Sequence, residues 1–560
     1  MRVLVRKVDV QELATRRDHL HTVFSRLSLA SENCNNAENT GIGPALQLLA
    51  FFVCAALVVS HRPDALFNPQ FFAEDGSIWF PEAYMTGWLS ALFHSRNGYF
   101  QTLPRLAASI ALLAPFRFAP LVMNLIGITV QVLPVNLLLS ARCRNWAPLF
   151  ARALMAMLYL GLPNTRELDA APEEGQWHLA LLACILVLAC SPLKKRWRVL
   201  DIAVILLSGF SGPFGVILLP IALIFWWQRR ETWRLIVAGA VAVAAVIQLS
   251  ALLTSAEATR SHAILGATPK LAIQLLAGQV YLGAMLGQSG VQVNRSPAVL
   301  AFIALLGSVV IVYCFFKARL EWKLLIVFCA LVFAASLKSP MVSMTVPQWQ
   351  VLRDASGIRY WFFPMIAFVW ALAWCATLSS NSLFRFAGVA GLLMTSAGIA
   401  TDWRYPAYTD HHFATYAAQF GAAPPGTMIN VPIFPDGWTM RLVKHSPACH
   451  GLLLGDVDQP KPGEKLSTST PVTGWVLADR PIRRVAIYLD RHLAQSITPD
   501  EPRPDVDSLY PQSPDKYKGW TGLVDLSKVA PGSHEIELRA LEAGGCEADF
   551  AVIPVERRVP

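Results

Sequence analysis

Two adjacent carboxylates, Glu74 and Asp75, stand in the run Phe71-Phe72-Ala73-Glu74-Asp75-Gly76. Acids among aromatic and apolar neighbours carry a desolvation cost unless they are paired or put to use. An Asp so placed can take the proton of an acceptor hydroxyl as a general base, or hold a divalent cation. The plain structural alternative is an acidic pair favouring the positive end of a helix, with Gly76 as a turn. A second constellation is Pro163-Asn164-Thr165-Arg166-Glu167-Leu168-Asp169 followed by Glu173-Glu174-Gly175-Gln176-Trp177-His178. Acids and amides bond hydroxyls and an indole stacks on a pyranose face, so this segment suits sugar recognition, with Glu167 and Gln176 ahead of the central acids. Its alternative is a solvated loop with Trp177 as an interface anchor and His178 as a structural hydrogen bonder.

The third group is Arg353-Asp354-Ala355-Ser356-Gly357-Ile358-Arg359-Tyr360, directly before an apolar run. Arg359 can grip a phosphate bidentately while its stem lies along the acyl region, and Tyr360 adds a hydroxyl or a stacking face. An ordinary interfacial anchor is the competing reading. Arg105, after Pro104, and His94 rank lower as phosphate ligands. No Walker A loop, dinucleotide G-x-G-x-x-G, H-E-x-x-H or G-x-S-x-G elbow occurs in the sequence, which argues against a nucleotide-sugar donor. Asp456-Val457-Asp458 spells D-x-D but precedes a Pro/Gly-rich turn and is discounted as a metal site.

The elements that must position these groups are membrane helices. Of 560 residues, 54% are hydrophobic and only 15% charged. Mean hydropathy is +0.43. Soluble domains carry about 25% charged residues, so an ordinary water-soluble enzyme is excluded. The net charge of +9 gathers in short loops such as Lys194, Lys195, Arg196 and Arg198, or Arg229, Arg230 and Arg234, while acids slightly outnumber bases from Asp402 onward. That is the positive-inside pattern and not the footprint of a nucleic-acid binder.

A polar segment at 1–42 reads as a cytoplasmic tail. Apolar runs follow at 43–60, 118–140, 148–162, 177–191, 199–211, 213–227, 235–254, 297–316, 323–337, 360–378 and 386–401. About eleven crossings put every basic cluster inside and the chain outside at Asp402, with outside loops at 62–117, 163–176, 255–296 and 338–359. The runs at 199–211 and 213–227 reach only ~20 Å of a ~30 Å hydrocarbon core. They are either short tilted helices or a hairpin that ends within the membrane beneath an outside cavity. Segments 77–93 and 103–114 are amphipathic and suit helices lying in the membrane interface. Beyond Asp402, period-two runs such as Val485–Leu489 and Glu535–Arg539, separated by turns, predict a linking layer at 402–450 and an extracytoplasmic β-sandwich at 451–560. Cys449 and Cys546 are the only cysteines of that outer region and form a possible disulfide in an oxidising compartment.

With an acidic pair in the first outside loop, many helices and an outer C-terminal domain, the chain resembles the GT-C class of integral-membrane glycosyltransferases. In that class an acid of the first outside loop is catalytic and the donor is usually a sugar on polyprenyl phosphate. The resemblance implies Asp75 as leading base and Glu74 as second. Ala73-Glu74-Asp75-Gly76, Pro163-Asn164 with Gln176-Trp177, Gly212-Pro213-Phe214 and Arg359-Tyr360 look like elements recurring in a bacterial branch of such proteins. The similarity runs over 43–445 and includes Gly437-Trp438-Thr439-Met440. Gly474-Trp475-Val476 and Arg503-Pro504-Asp505-Val506 look like a small β-sandwich found beside bacterial surface-carbohydrate enzymes. One departure is the lack of a clear basic pair for a donor diphosphate, which favours a monophosphate carrier.

The expectation is therefore a multi-pass protein of a bacterial inner membrane. It would transfer a sugar, with inversion, from a polyprenyl-phosphate donor to a cell-envelope glycan or lipid acceptor on the outer face. No cofactor is firmly implied and a divalent cation stays open. The alternatives are a carrier or flippase for lipid-linked glycans and a non-catalytic glycan-binding membrane scaffold. Transporters often show inverted repeats and charges inside helices, which this sequence does not clearly show.

Overall fold

The computed structural model describes residues 41–557 apart from 97, 255–260, 262, 292–295, 344, 355–356, 446–452, 467–468, 511–512 and 528. The expected tail at 1–42 lies outside the described residues but for 41 and 42. All eleven apolar runs coincide with helices. In hydrocarbon every backbone N–H and C=O must be satisfied within the segment, and a helix does this alone.

Among the described residues eight helices are long and apolar enough to cross a membrane: Pro44–His61, Phe116–Leu139, Thr232–Thr254, Pro269–Val291, Pro297–Lys317, Leu320–Lys338, Ile358–Leu378 and Ser382–Asp402. Shorter apolar helices are Leu149–Leu160, Gly175–Leu188 and Phe214–Arg229. The protein is thus mostly helical and built for a membrane, with a β-rich C-terminal region.

One long helix departs from expectation. Pro269–Val291 occupies what reads in the sequence as part of an outside loop at 255–296. Gln274, Gly278, Gln279, Gly283 and Gly287 dilute its hydropathy to 1.2, against 2.7 for Pro297–Lys317. Most of this helix is buried against other helices, where an amide can find a partner. Gln279 donates to the carbonyls of Leu352 and Arg353 at 3.1 and 2.9 Å. Ile358–Leu378 is the central helix, buried along most of its length and packed on Leu149–Leu160, Pro297–Lys317, Leu320–Lys338 and Ser382–Asp402. It fixes the position of Arg359.

The short pair consists of Lys195–Gly209 and Phe214–Arg229. Its tip is tied to the first loop: Thr102 N–H donates to Phe210 O at 3.0 Å and Gly212 N–H to Phe100 O at 3.1 Å. Gly212 has φ +118, and a Cβ there would collide with the Gln176 amide, so the turn needs glycine.

The first loop folds into the turn at Asp75–Trp79, helices Phe80–Thr86, Trp88–Leu92 and Thr102–Ala111, and a hairpin of β1 (Ser95–Arg96) and β2 (Tyr99–Phe100). Trp88 and Phe93 are exposed as interface positions should be, whereas Trp79 is buried. The helix Phe413–Ala422 and the hairpin of β3 (Met428–Ile433) and β4 (Trp438–Val443) pack on this loop. Phe71, Trp79 and Phe80 share one core with Phe413, Val431, Ile433 and Met440. The linking layer is therefore the lid of the first loop.

Beyond it, β5 (Leu453–Gln459), β7 (Ser469–Ala478) and β10 (Gly519–Asp525) form one sheet in the order β10-β7-β5. A second sheet joins β6 (Lys465–Leu466), β8 (Ile482–Leu489), β9 (His492–Ile497), β11 (Gly532–Glu542) and β12 (Glu547–Arg557) in the order β6-β12-β11-β8-β9. Inward residues such as Val472, Val476, Ile487, Trp520 and Leu538 form a common core between the two sheets. Cys546 is disulfide-bonded, and Cys449 lies outside the described residues. Asp456 and Asp458 of the D-x-D run pair with Arg441 and Arg503 at 3.2 and 2.6 Å.

Candidate active site

The acidic pair is positioned by a strained turn. Ala73 takes φ 41, a left-handed conformation that costs a non-glycine residue about 1–2 kcal/mol. Its N–H donates to Phe434 O at 2.6 Å, and Phe72 bridges to Phe434 in the manner of a strand pair. The rings of Phe72, Tyr408 and Phe434 stack at 4.0–6.1 Å and brace that bridge. Gly76 is not a turn glycine but a packing one. A Cβ there would lie 2.6 Å from Phe71 Cβ and 3.0 Å from Ile433 Cδ1.

Around the pair stand acids from a distant part of the chain. Trp79 Nε1 donates to Glu173, and Glu174 accepts from Arg359 at 3.1 Å. Arg359 also pairs with Glu167, to which its backbone N–H donates at 3.3 Å, and it reaches Met341 O at 3.4 Å. Asp75 is only 2% exposed, and among the described residues its Oδ1 has no hydrogen-bond partner. Burial, then the charges of Glu74 and Glu174, hold the Asp75 carboxyl well above the usual range, against a backbone N–H from Glu173. Burial and the charges of Glu74, Glu174 and Asp75 do the same to Glu173, against the Trp79 indole. Glu174 is pushed up to about 8 by burial, with Glu167 and Glu74 adding to the rise and Arg359 opposing it. Each of these carboxyls is held above its ordinary range because several acids share one dry place.

Glu74 is the member of the pair that opens onto space. It lines a cavity of about 580 Å³ together with Trp79, Gln101, Glu173, Trp438 and Thr439. Ser77 Oγ and Gln101 Oε1, from wall residues, have no protein partner. Trp438, on β4, is 39% exposed. Among the described residues no group of three or more His, Cys, Asp or Glu side chains is arranged to hold a metal ion.

The other residues singled out in the sequence fall as follows. Trp177 is 6% exposed and packed against Phe214, Tyr360 and Phe363 at 5.0–6.0 Å, so its face is closed to a sugar. Trp438 offers the open ring instead. Gln176 is half-buried and donates to Glu173 O at 3.5 Å. Tyr360 accepts from Met341 N–H at 3.0 Å. Arg105 is buried between Glu82 and the Ala91 carbonyl and stacks over Trp79, which removes it as a ligand for phosphate. His94 is half-buried on the wall of a second cavity. Glu173 and Glu174, ranked below Glu167 and Gln176 in the sequence, are the residues of that segment that act on Asp75, Glu174 by its charge and Glu173 by its backbone N–H. Arg96, which lines the cavity, had no signal in the sequence beyond its place in the first loop.

A second buried polar group lies at the end of Pro44–His61. Arg62 pairs with Asp64 at 3.1 Å, donates to Tyr408 Oη at 2.5 Å and Asp169 O at 3.2 Å, and lies 3.6 Å from the Tyr408 ring centroid. His61 Nδ1 is 3.6 Å from Asp169, which also accepts from Gln131.

No protein-family model and no curated protein matches this chain.

Proposed function

We propose that the chain is a membrane glycosyltransferase that moves a sugar from a polyprenyl-phosphate donor to a cell-envelope glycan or lipid acceptor at the outer face of a bacterial inner membrane. The observation that carries this reading is the Glu74–Asp75 pair. It is fixed by a strained turn at the edge of a 580 Å³ cavity and linked electrostatically through Glu174 to the Arg359 guanidinium.

Glu74, the member that lines the cavity, is the contact base of this reading, and Asp75 is the buried carboxyl next to it in the chain. The acceptor hydroxyl gives its proton to Glu74 as its oxygen bonds to the anomeric carbon. The bond from that carbon to the phosphate oxygen breaks, and the phosphate leaves with the electron pair. Attack from the face opposite the leaving group inverts the anomeric centre. Arg359 is engaged by Glu167 and Glu174 at rest. Arg359 does not line this cavity, and in this reading it gives up one of these two carboxylates to meet the departing phosphate.

The test is incubation of the purified protein in lipid with labelled polyprenyl-phosphate sugars and envelope acceptors. Wild type transfers label, and Glu74→Gln and Asp75→Asn each lose about 10²–10⁴-fold while staying folded. Wild-type-like rates in both variants overturn the base assignment. Movement of label across liposomes without transfer favours the carrier reading, which would use the same cavity without bond chemistry.

A further inference from the structure

The second cavity, of about 260 Å³, has no part in the reaction as written. It lies where the first loop, the β3–β4 hairpin and the sandwich meet, with Glu82, His94, Arg441, Tyr510 and Phe550 on its wall. Ser77, Ile78, Arg96 and Thr439 line both this cavity and the one that Glu74 faces. The two are therefore neighbours across a common wall. Arg96, on the short β1 strand, is a partly exposed part of that wall, and its guanidinium approaches Glu82 at 3.7 Å.

Small-ligand sites run from about 300 to 1,000 Å³, so the second cavity is small for an independent site and suits an extension of the first. Each cavity has aromatic rings on its wall: Trp438 and the buried Trp79 in the first, Tyr510 and the buried Phe550 in the second, with Trp475 6.2 Å from Tyr510. Around the rings stand an amide, a hydroxyl, an imidazole and guanidinium groups from Gln101, Thr439, His94, Arg96 and Arg441. An apolar ring face beside clustered donors and acceptors matches a pyranose, whose C–H faces are apolar and whose edges are hydroxyls. The charges nearly cancel. Arg96 faces Glu82, and Arg441 pairs with Asp456 at 3.2 Å. That balance fits a neutral glycan better than an anionic one.

We propose that the two cavities are successive subsites for an extended neutral glycan acceptor. Its reacting hydroxyl would lie at Glu74, and the sugars behind it would run past Arg96 onto Tyr510 of the sandwich. This rests on the glycosyl-transfer reading for its chemistry, but its test does not require turnover. Full-length protein in lipid nanodiscs is titrated with neutral gluco- and manno-oligosaccharides of one and four units, with binding followed by tryptophan fluorescence and saturation-transfer NMR.

Wild type binds the tetramer of at least one series about tenfold tighter than the monomer. Tyr510→Ala brings that ratio close to one, and Tyr510→Phe, which keeps the ring, preserves most of it. Equal affinity for monomer and tetramer, no binding of either series, or an unchanged ratio in Tyr510→Ala overturns the proposal. Length-dependent binding without transfer from any donor would sink the transferase reading and leave the groove standing. Transfer to monomer and tetramer with the same KM would do the reverse.

Discussion

The acid cluster and the polar group around Arg62 are both buried and both draw on the loop at 163–174, yet they are built on opposite principles. Around Arg62, the guanidinium faces the Asp64 carboxylate and donates to Tyr408 Oη, while Asp169 accepts from Gln131 and lies 3.6 Å from the His61 imidazole. In the cluster, Glu74, Asp75, Glu167, Glu173 and Glu174 influence one another, and among the described residues only Arg359 makes direct ion pairs with any of them. Balanced charge holds a loop to a helix end. Surplus like charge can persist only if protons are taken up, and it costs stability whenever they leave. The surplus lies beside the 580 Å³ cavity, so the unfavourable arrangement coincides with the place where a substrate can use it.

The sharpest way to break this contrast is to remove the pin of the balanced group. Arg62→Met leaves Asp64 buried without its partner and should lower stability by about 3–5 kcal/mol, seen as a large drop in melting temperature and in folded yield from membranes. An unchanged melting temperature would mean that the pairing is incidental. A smaller effect comes from pH. Glu174 lies near 8 in the folded protein against its usual 4.5, so the folded state binds the extra proton. Its contribution is thus intact below about pH 4.5 and is lost as pH rises toward 8. The slope is at most about 1.4 kcal/mol per pH unit for such a group. Melting temperature should therefore fall between pH 5 and 8, and Glu174→Gln should flatten the curve. Rising stability over that range in wild type would refute the crowding argument.

The sequence makes the helices legible because a long apolar run in lipid has one backbone solution, and it makes the strands legible because alternation such as Glu535–Arg539 leaves one face for a core. Pro269–Val291 escapes that logic. Hydropathy registers what faces lipid, whereas Gln279 faces protein and is satisfied there. At the site, Glu74, Asp75, Glu167 and Arg359 stand out by type and position. Their convergence with Glu173 and Glu174 does not, since it depends on the positive φ of Ala73 and on a bridge from Phe72 to Phe434, far along the chain. The indoles show the same limit. Trp177 has the sugar-binding neighbours in sequence, but packing closes it, and Trp438, which the sequence marks only through the resemblance and places in the linking layer, holds the open position.

The smallest expected effect separates the two regions most finely. Asp75→Asn replaces a carboxyl already held neutral by an amide of the same shape, so burial costs little more than before and the repulsion from Glu74 and Glu174 disappears. Stability should stay within about 1 kcal/mol of wild type even though the residue is 2% exposed. The same exchange at Asp64 removes a full charge facing Arg62 at 3.1 Å and should cost more. Melting curves for both variants at pH 7, taken on the preparations used for transfer assays, place the loss of activity and the loss of fold on separate axes. If Asp75→Asn melts as far below wild type as Asp64→Asn does, the Asp75 carboxyl makes contacts in the fold that an amide cannot replace, and crowding among the acids is not what governs this site.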